Sequence, residues 1–315
     1  MFPKRKVSRY AQPDGTLDRS APILSRRARS DPRAVRKLPA FQGTAGDLGG
    51  ANRNTVLDRA RSNLRHAFTP ARPISKPGMF AGRTTVLRTL IQSIEDQQLH
   101  VVIYGERGIG KTSLLHILDE IARDARYIVR YSSCGEDVEF SEFFRAIMRD
   151  IPLLYHSDFA PTSEDIEKGG SLADLLPDGQ VTVADVSDVF AKLSSTRVLL
   201  LLDEFDRAHA PSFRRSIAEL IKNLSDRSVR VQLVISGVAS NLTELIEHIP
   251  SIRRNILGLQ VPNMTDAEIH ELISNGEAVC GLKYDAAALD AITVVAHGSP
   301  YIASLICQLA GIQAL

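Results

Sequence analysis

The chain is short of cysteine, with three in 315 residues, and has no tryptophan. Cys134, Cys280 and Cys307 stand far apart and form no C-x-x-C pair. That excludes a cysteine-based zinc site and a disulfide framework, and the thiols read as reduced and mostly buried. Long apolar runs are also missing. No stretch reaches the roughly 18 apolar residues that span a bilayer. The most apolar stretch, residues 291–315, is divided by His297, Gly298 and Pro300. Its second half spaces Ile302, Leu305, Ile306 and Leu309 at helical intervals, the pattern of a helix packed on a core. No apolar segment follows the basic start MFPKRK, so no secretory leader is expected and the expected location is cytoplasmic. There is no internal repeat.

With 44% hydrophobic and 24% charged residues, the composition is that of a globular protein. Its net charge of +1 conceals a split. Residues 1–76 hold 17 Lys/Arg against 5 Asp/Glu, and the rest hold 21 against 32. A basic arm of net +12 is thus joined to an acidic body of net −11. The arm is rich in Pro, Gly, Ser and Arg and lacks sustained periodicity, so residues 1–76 are expected to be largely disordered, with a short helix over NTVLDRARSNLRHAF. An arm of this charge suits nucleic acid, a membrane surface, an acidic protein face or the chain's own acidic body. No aromatic residues interleave its arginines to stack on bases, which equally suits a solvated tail.

From residue 77 the pattern becomes regular. A helix over 84–96 precedes the strand HVVIYG, and a second helix runs to Asp124. The strand YIVRYSSC, the helix FSEFFRAIMRDI and an irregular acidic stretch, 153–182, come next. After the helix VADVSDVFAKL, the strand RVLLLLD has no polar residue until its end, as a central parallel strand covered on both faces requires. PSFRRSIAELIKNL, VRVQLVISG, NLTELIEHI and ILGLQVP continue the alternation. Beyond Thr265 only helices are expected. The division is therefore a basic arm (1–76), an α/β domain (77–264) and a small helical domain (265–315).

The chemistry begins at GERGIGKTS, residues 105–113, directly after HVVIYG. Gly105, Gly110, Lys111 and Thr112 satisfy G-x-x-x-x-G-K-[ST]. Between a strand and a helix, such a loop turns backbone N–H groups inward, and the helix brings its positive end to the same anion. Glu106, Arg107, Gly108, Ile109 and Ser113 complete the expected phosphate cradle. Lys111 is expected on the β- and γ-phosphates, and the Thr112 hydroxyl on Mg²⁺. Asp203 ends the apolar strand, placed to hold Mg²⁺ through water, and Glu204 is placed to polarise an attacking water. Asp206 reads as exposed. Ser236 and Asn241, at and beyond the end of VRVQLVIS, are candidates for the γ-phosphate. Arg253 and Arg254, before ILGLQVP, could reach their own nucleotide or a neighbour's. The guanine-reading N-K-x-D element is absent, so adenine, and hence ATP, is preferred.

Taken in order, FAGR (80–83), GERGIGKT, LLLLDEFD, LVISGVASN, SIRRN and HGSP (297–300) resemble the AAA+ superfamily and its STAND signalling relatives, nearest to the branch that groups origin-recognition-type initiators with bacterial and archaeal STAND-like ATPases. The resemblance covers about 77–315. It implies a P-loop NTPase αβα sandwich on a parallel sheet, followed by a helical lid. It places Phe80, Gly82 and Arg83 near adenine, and His297, Gly298 and Pro300 over base or phosphate. Many relatives carry an arginine after G-S-P, where this chain has Tyr301, which tilts the comparison towards the STAND type. The expected function is a Mg²⁺-ATP-dependent molecular switch acting on a protein partner or its own assembly. The alternatives are a DNA-associated ATPase using the basic arm and a scaffold that binds nucleotide without turnover. No segment after the lid reads as a helix-turn-helix.

Overall fold

A computed structural model describes residues 56–246 and 252–315, within one compact unit, Asn52–Leu315. Most of the arm, residues 1–55, lies outside the described residues, as does the end of the expected helix NLTELIEHI.

Five strands form the sheet: β1 (His100–Gly105), β2 (Ile128–Ser133), β3 (Val198–Asp203), β4 (Val231–Val238) and β5 (Ile256–Gln260). All neighbours pair in parallel, in the order β2-β3-β4-β1-β5. Their C-terminal ends therefore share one edge, where ligands collect in open α/β sheets.

The unbroken apolar run in β3 follows from burial on both faces. Val198, Leu200 and Leu202 join one core, Leu199 and Leu201 the other, and each is at most 1% exposed. Each leucine contributes about 1.5–3 kcal/mol of burial free energy. Helices α2 (Thr84–Glu95) and α3 (Lys111–Asp124) cover one face. Helices α4 (Phe140–Arg149), α6 (Val183–Ala191) and α7 (Pro211–Asp226) cover the other. The stretch 153–182 is a chain of short turns and a one-turn helix, α5 (Glu164–Glu167), anchored to that core by Leu153, Leu172 and Leu176. After β4 comes α8 (Leu242–Ile246). The expected αβα sandwich is the fold found.

A helical module holds α9 (Asp266–Cys280), α10 (Ala286–Ala296) and α11 (Pro300–Ala314). It also takes a helix from the basic segment, α1 (Val56–Ala67), so the ordered structure begins upstream of residue 77. Leu64 and Phe68 are buried among these helices. Glycine costs about 1 kcal/mol inside a helix, yet both receiving helices carry one at the contact. A side chain on Gly276 of α9 would overlap the Phe68 ring, and one on Gly311 of α11 would meet Leu64. Gln308 Nε2 donates to the Phe68 carbonyl at 2.7 Å, which fixes the exit of α1. Cys134, Cys280 and Cys307 are buried and free. Among the described residues no helix is long and apolar enough to cross a membrane.

Candidate nucleotide site

The loop between β1 and α3 lies at the C-terminal edge of the sheet. Gly108 and Gly110 adopt φ of 76° and 92°, angles that side-chain-bearing residues avoid. Lys111 is 8% exposed and folds back over the loop, its Nζ donating to the carbonyls of Gly105 (2.9 Å) and Glu106 (2.8 Å). Burial pushes its pKa below the usual lysine value, and Asp206 and Asp203 oppose the shift. Ser113, in the first turn of α3, accepts the Ile74 N–H at 3.0 Å, so its hydroxyl ties down the segment before α2.

Asp203 is 3% exposed and accepts from three donors. These are Tyr131 Oη at 2.8 Å, Ser236 Oγ at 2.7 Å and the Glu204 N–H at 2.9 Å. Glu204 takes a left-handed φ of 54° and stays exposed. Its Oε2 accepts from Ser133 Oγ (3.0 Å) and Arg207 Nη1 (2.8 Å). Asp206, expected to be exposed, is half-buried instead, because its Oδ1 accepts the Val238 N–H at 2.8 Å and terminates β4.

Gly82 and Arg83 form the joint between sheet and lid. Their N–H groups donate to Glu271 Oε2 (3.0 Å) and Glu268 Oε1 (2.6 Å) of α9. The Arg83 side chain is 5% exposed, and its Nη1 would block a side chain on Gly110. Its Nε and Nη2 are buried without a partner. Burial lowers its pKa to about 10 despite the Glu268 charge, so it remains a cation beside the phosphate loop. Phe80 is half-buried against α2 and its core.

Across the loop, Pro300 opens α11 and packs at Gly110, while Tyr301 packs at Gly108. His297 is an exposed left-handed C-cap of α10, and the structure does not bring it to the loop. Gly298 serves the backbone instead, its carbonyl accepting the Met264 N–H at 2.9 Å.

These elements enclose a cavity of about 610 Å³. Arg107, Gly108, Gly110, Lys111, Thr112 and Ser113 line one side, and Glu204, Asp206 and Arg207 another. Pro300, Tyr301 and Ser304 form the lid side. The remaining wall, Thr69–Ile74, comes from the segment the sequence assigned to the arm. Its TPARP composition, in which the first four residues close a turn with the Arg72 N–H donating to the Thr69 carbonyl at 3.1 Å, is the signal that could have marked it.

Ser236 lies wholly buried with its hydroxyl committed to Asp203. Asn241 caps α8, its Oδ1 accepting the Glu244 N–H at 3.1 Å. Arg253 and Arg254 are exposed at the opposite edge of the sheet, and Arg254 lies 3.7 Å from Asp226. Ile256, just after them, pairs with His100, the first residue of β1. The length of β1, at about 3.3 Å per residue, separates them from the phosphate loop. Both therefore stand at the end of β1 away from the phosphate loop.

The residues fit Mg²⁺ as well as a nucleotide. Among the described residues no group of three or more His, Cys, Asp or Glu could hold a metal by itself. One buried carboxylate and one hydroxyl, Asp203 and Thr112, match a cation that keeps its waters and takes phosphate oxygens as ligands.

A parallel sheet carrying a glycine-lysine phosphate loop, a strand-end acid and a helical cover defines a P-loop nucleotide-binding protein. Residues 79–235 match the family described as AAA ATPase domain, so this segment is an AAA+ P-loop ATPase domain. Two solved structures share the fold. One is Aeropyrum pernix ORC1 in complex with DNA (TM-score 0.52, 15% identity, covering 79% of this chain and 64% of that one). The other is Drosophila ORC bound to DNA (TM-score 0.53, 16% identity, 88% and 65%). A Thermotoga maritima RuvB variant aligns with a TM-score of 0.44 at 19% identity, over 72% and 60% of the two chains. The chain thus spans less than two thirds of each of these three proteins. Comparison with curated proteins returned no match.

Proposed function

We propose that the protein binds and hydrolyses Mg²⁺-ATP as a conformational switch of the AAA+/STAND kind, regulating a partner or its own assembly. The observation that carries this reading is the convergence of the phosphate loop, of Glu204 and Asp206 just after β3, and of the lid on one cavity, with Pro300 and Tyr301 packed on the loop itself. A ligand held between loop and lid interacts differently with lid-closed and lid-open forms, and that difference is what shifts a two-state equilibrium.

In this reading the loop amides hold the phosphates, and Lys111 leaves its two carbonyls for the β- and γ-phosphates. Arg83 supplies its unpartnered donors to anionic oxygen. Thr112 and Asp203 hold Mg²⁺, which when bound offsets phosphate charge. Glu204 orients the attacking water and accepts its proton. Arg253 or Arg254 acts on the nucleotide of a neighbouring copy, a reading supported by their exposure at the end of the sheet away from the chain's own loop.

The second reading, a DNA-associated ATPase, is favoured by the 17 Lys/Arg of residues 1–76. ATP turnover with and without DNA, alongside light scattering and a Lys111→Ala control, separates the readings. ATP-dependent assembly with turnover indifferent to DNA supports the switch. Turnover that DNA stimulates and salt abolishes supports the second reading. Tight ATP binding without turnover leaves a nucleotide-binding scaffold.

A further inference from the structure

The carboxylate of Asp203 is nearly saturated. Its Oδ1 accepts from both Ser236 Oγ (2.7 Å) and the Glu204 N–H (2.9 Å), and its Oδ2 accepts from Tyr131 Oη (2.8 Å). A carboxylate has about four lone-pair sites. The one left over is on Oδ2, the oxygen that Tyr131 holds. The phenol therefore sets the direction of the only acceptor position that Asp203 can turn to a metal or to a metal-bound water.

The position of Tyr131 is built for this. Tyr131 pairs with Leu201 across β2 and β3, two residues before Asp203, so the two side chains share a face of the sheet. From α3, His116 stacks on the Tyr131 ring with centroids 4.9 Å apart and planes 24° from parallel. His116 follows Thr112 by four residues, so both occupy one face of α3. The two candidate Mg²⁺ ligands thus flank one series: Thr112 shares a face of α3 with His116, His116 stacks on Tyr131, and Tyr131 donates to Asp203. A tyrosine that merely covered the sheet edge would need only its ring. This one is 36% exposed and still aims its hydroxyl at the carboxylate.

We propose that Tyr131 is a positioning residue for Mg²⁺ binding, acting through Asp203. The proposal rests on the Mg²⁺-nucleotide reading of the site. Tyr131→Phe tests it, because the ring and its stack on His116 remain while the hydroxyl goes. The readout is binding of a fluorescent ATP analogue titrated with Mg²⁺, run beside the same titration in EDTA. Affinity in EDTA should be unchanged, and the Mg²⁺ concentration at half-saturation should rise about tenfold, as expected for losing a hydrogen bond to a charged group. Excess Mg²⁺ should restore wild-type binding. His116→Ala, which frees the ring but keeps the hydroxyl, should give a smaller rise in the same direction. Equal Mg²⁺ half-saturation in wild type and Tyr131→Phe overturns the proposal. So does a matching loss of affinity in EDTA, which would mark a merely structural role. If the wild type binds the analogue without any response to Mg²⁺, the metal reading fails first, and that outcome is visible without any variant.

Discussion

The Phe68 ring occupies the space that a side chain on Gly276 would need. Gly276→Ala should therefore unfold more easily, by about 1–3 kcal/mol as for other overpacked cores, although alanine is the better helix former. Thermal unfolding checks this. In a Phe68→Ala background the same substitution should cost much less, because the ring is gone.

Lys111→Ala should lower nucleotide affinity about tenfold to a hundredfold, the scale of a lost hydrogen bond to a charged group. Calorimetric titration with ATP reads it, and unchanged affinity would remove Lys111 from the site.

Glu204→Gln should bind ATP as the wild type does and hydrolyse it about 10²–10⁴ times more slowly, the usual contribution of a general base. The substitution keeps the shape but discards the base and the ion pair with Arg207. That pair is exposed, so its loss should leave the unfolding temperature almost unmoved.

If Arg253 or Arg254 serves a neighbouring copy, turnover per molecule should rise with protein concentration. Alanine at the effective position should abolish that rise. Mixing this variant with Glu204→Gln should recover part of the activity, since one copy keeps the base and the other the arginine. No recovery and no concentration dependence would leave both arginines as solvated surface residues.

Stability should fall as pH drops from about 6.5 to 4. His100 is buried at the start of β1, and its Nδ1 accepts the Leu233 N–H at 2.9 Å. Desolvation lowers its pKa from 6.5 to about 4. Between those values the unfolded chain binds a proton at this site that the folded chain does not, so acid favours unfolding; below the window the effect is complete. At roughly 1.4 kcal/mol per unit, the contribution is about 3 kcal/mol. His100→Asn, whose side-chain oxygen can accept the same N–H, should flatten the slope of unfolding temperature against pH over this window.

The five strands were legible because parallel strands covered on both faces are written as apolar runs, and β3 is the plainest case. The phosphate loop was legible because its chemistry is local and contiguous. The docking of α1 was not. Leu64 and Phe68 stand in an arginine-rich segment, and what buries them are glycines more than 200 residues away. The part of Ser236 was hidden likewise, since whether a strand-end hydroxyl meets phosphate or a neighbouring carboxylate depends on which strands are adjacent. The position of Arg253 and Arg254 was hidden as well, since it follows from the parallel register of β5 on β1. Their distance along the chain from the phosphate loop carries no information about which edge of the sheet they occupy.

The lid is fastened to the sheet domain through the main chain on one side and through side chains on the other. Glu268 and Glu271 accept from the backbone N–H groups of Arg83 and Gly82, donors that no substitution at those positions except proline can remove. The latch can therefore be graded from α9, and a side chain at Gly82 would strain it by meeting Glu268. Glu271→Gln would weaken the grip at Gly82, whereas Glu268→Gln would weaken it at Arg83 and also remove the carboxylate charge that acts on the Arg83 guanidinium. The fastening of the helical module and the charge around Arg83 thus meet at Glu268, while Glu271 contributes to the first alone.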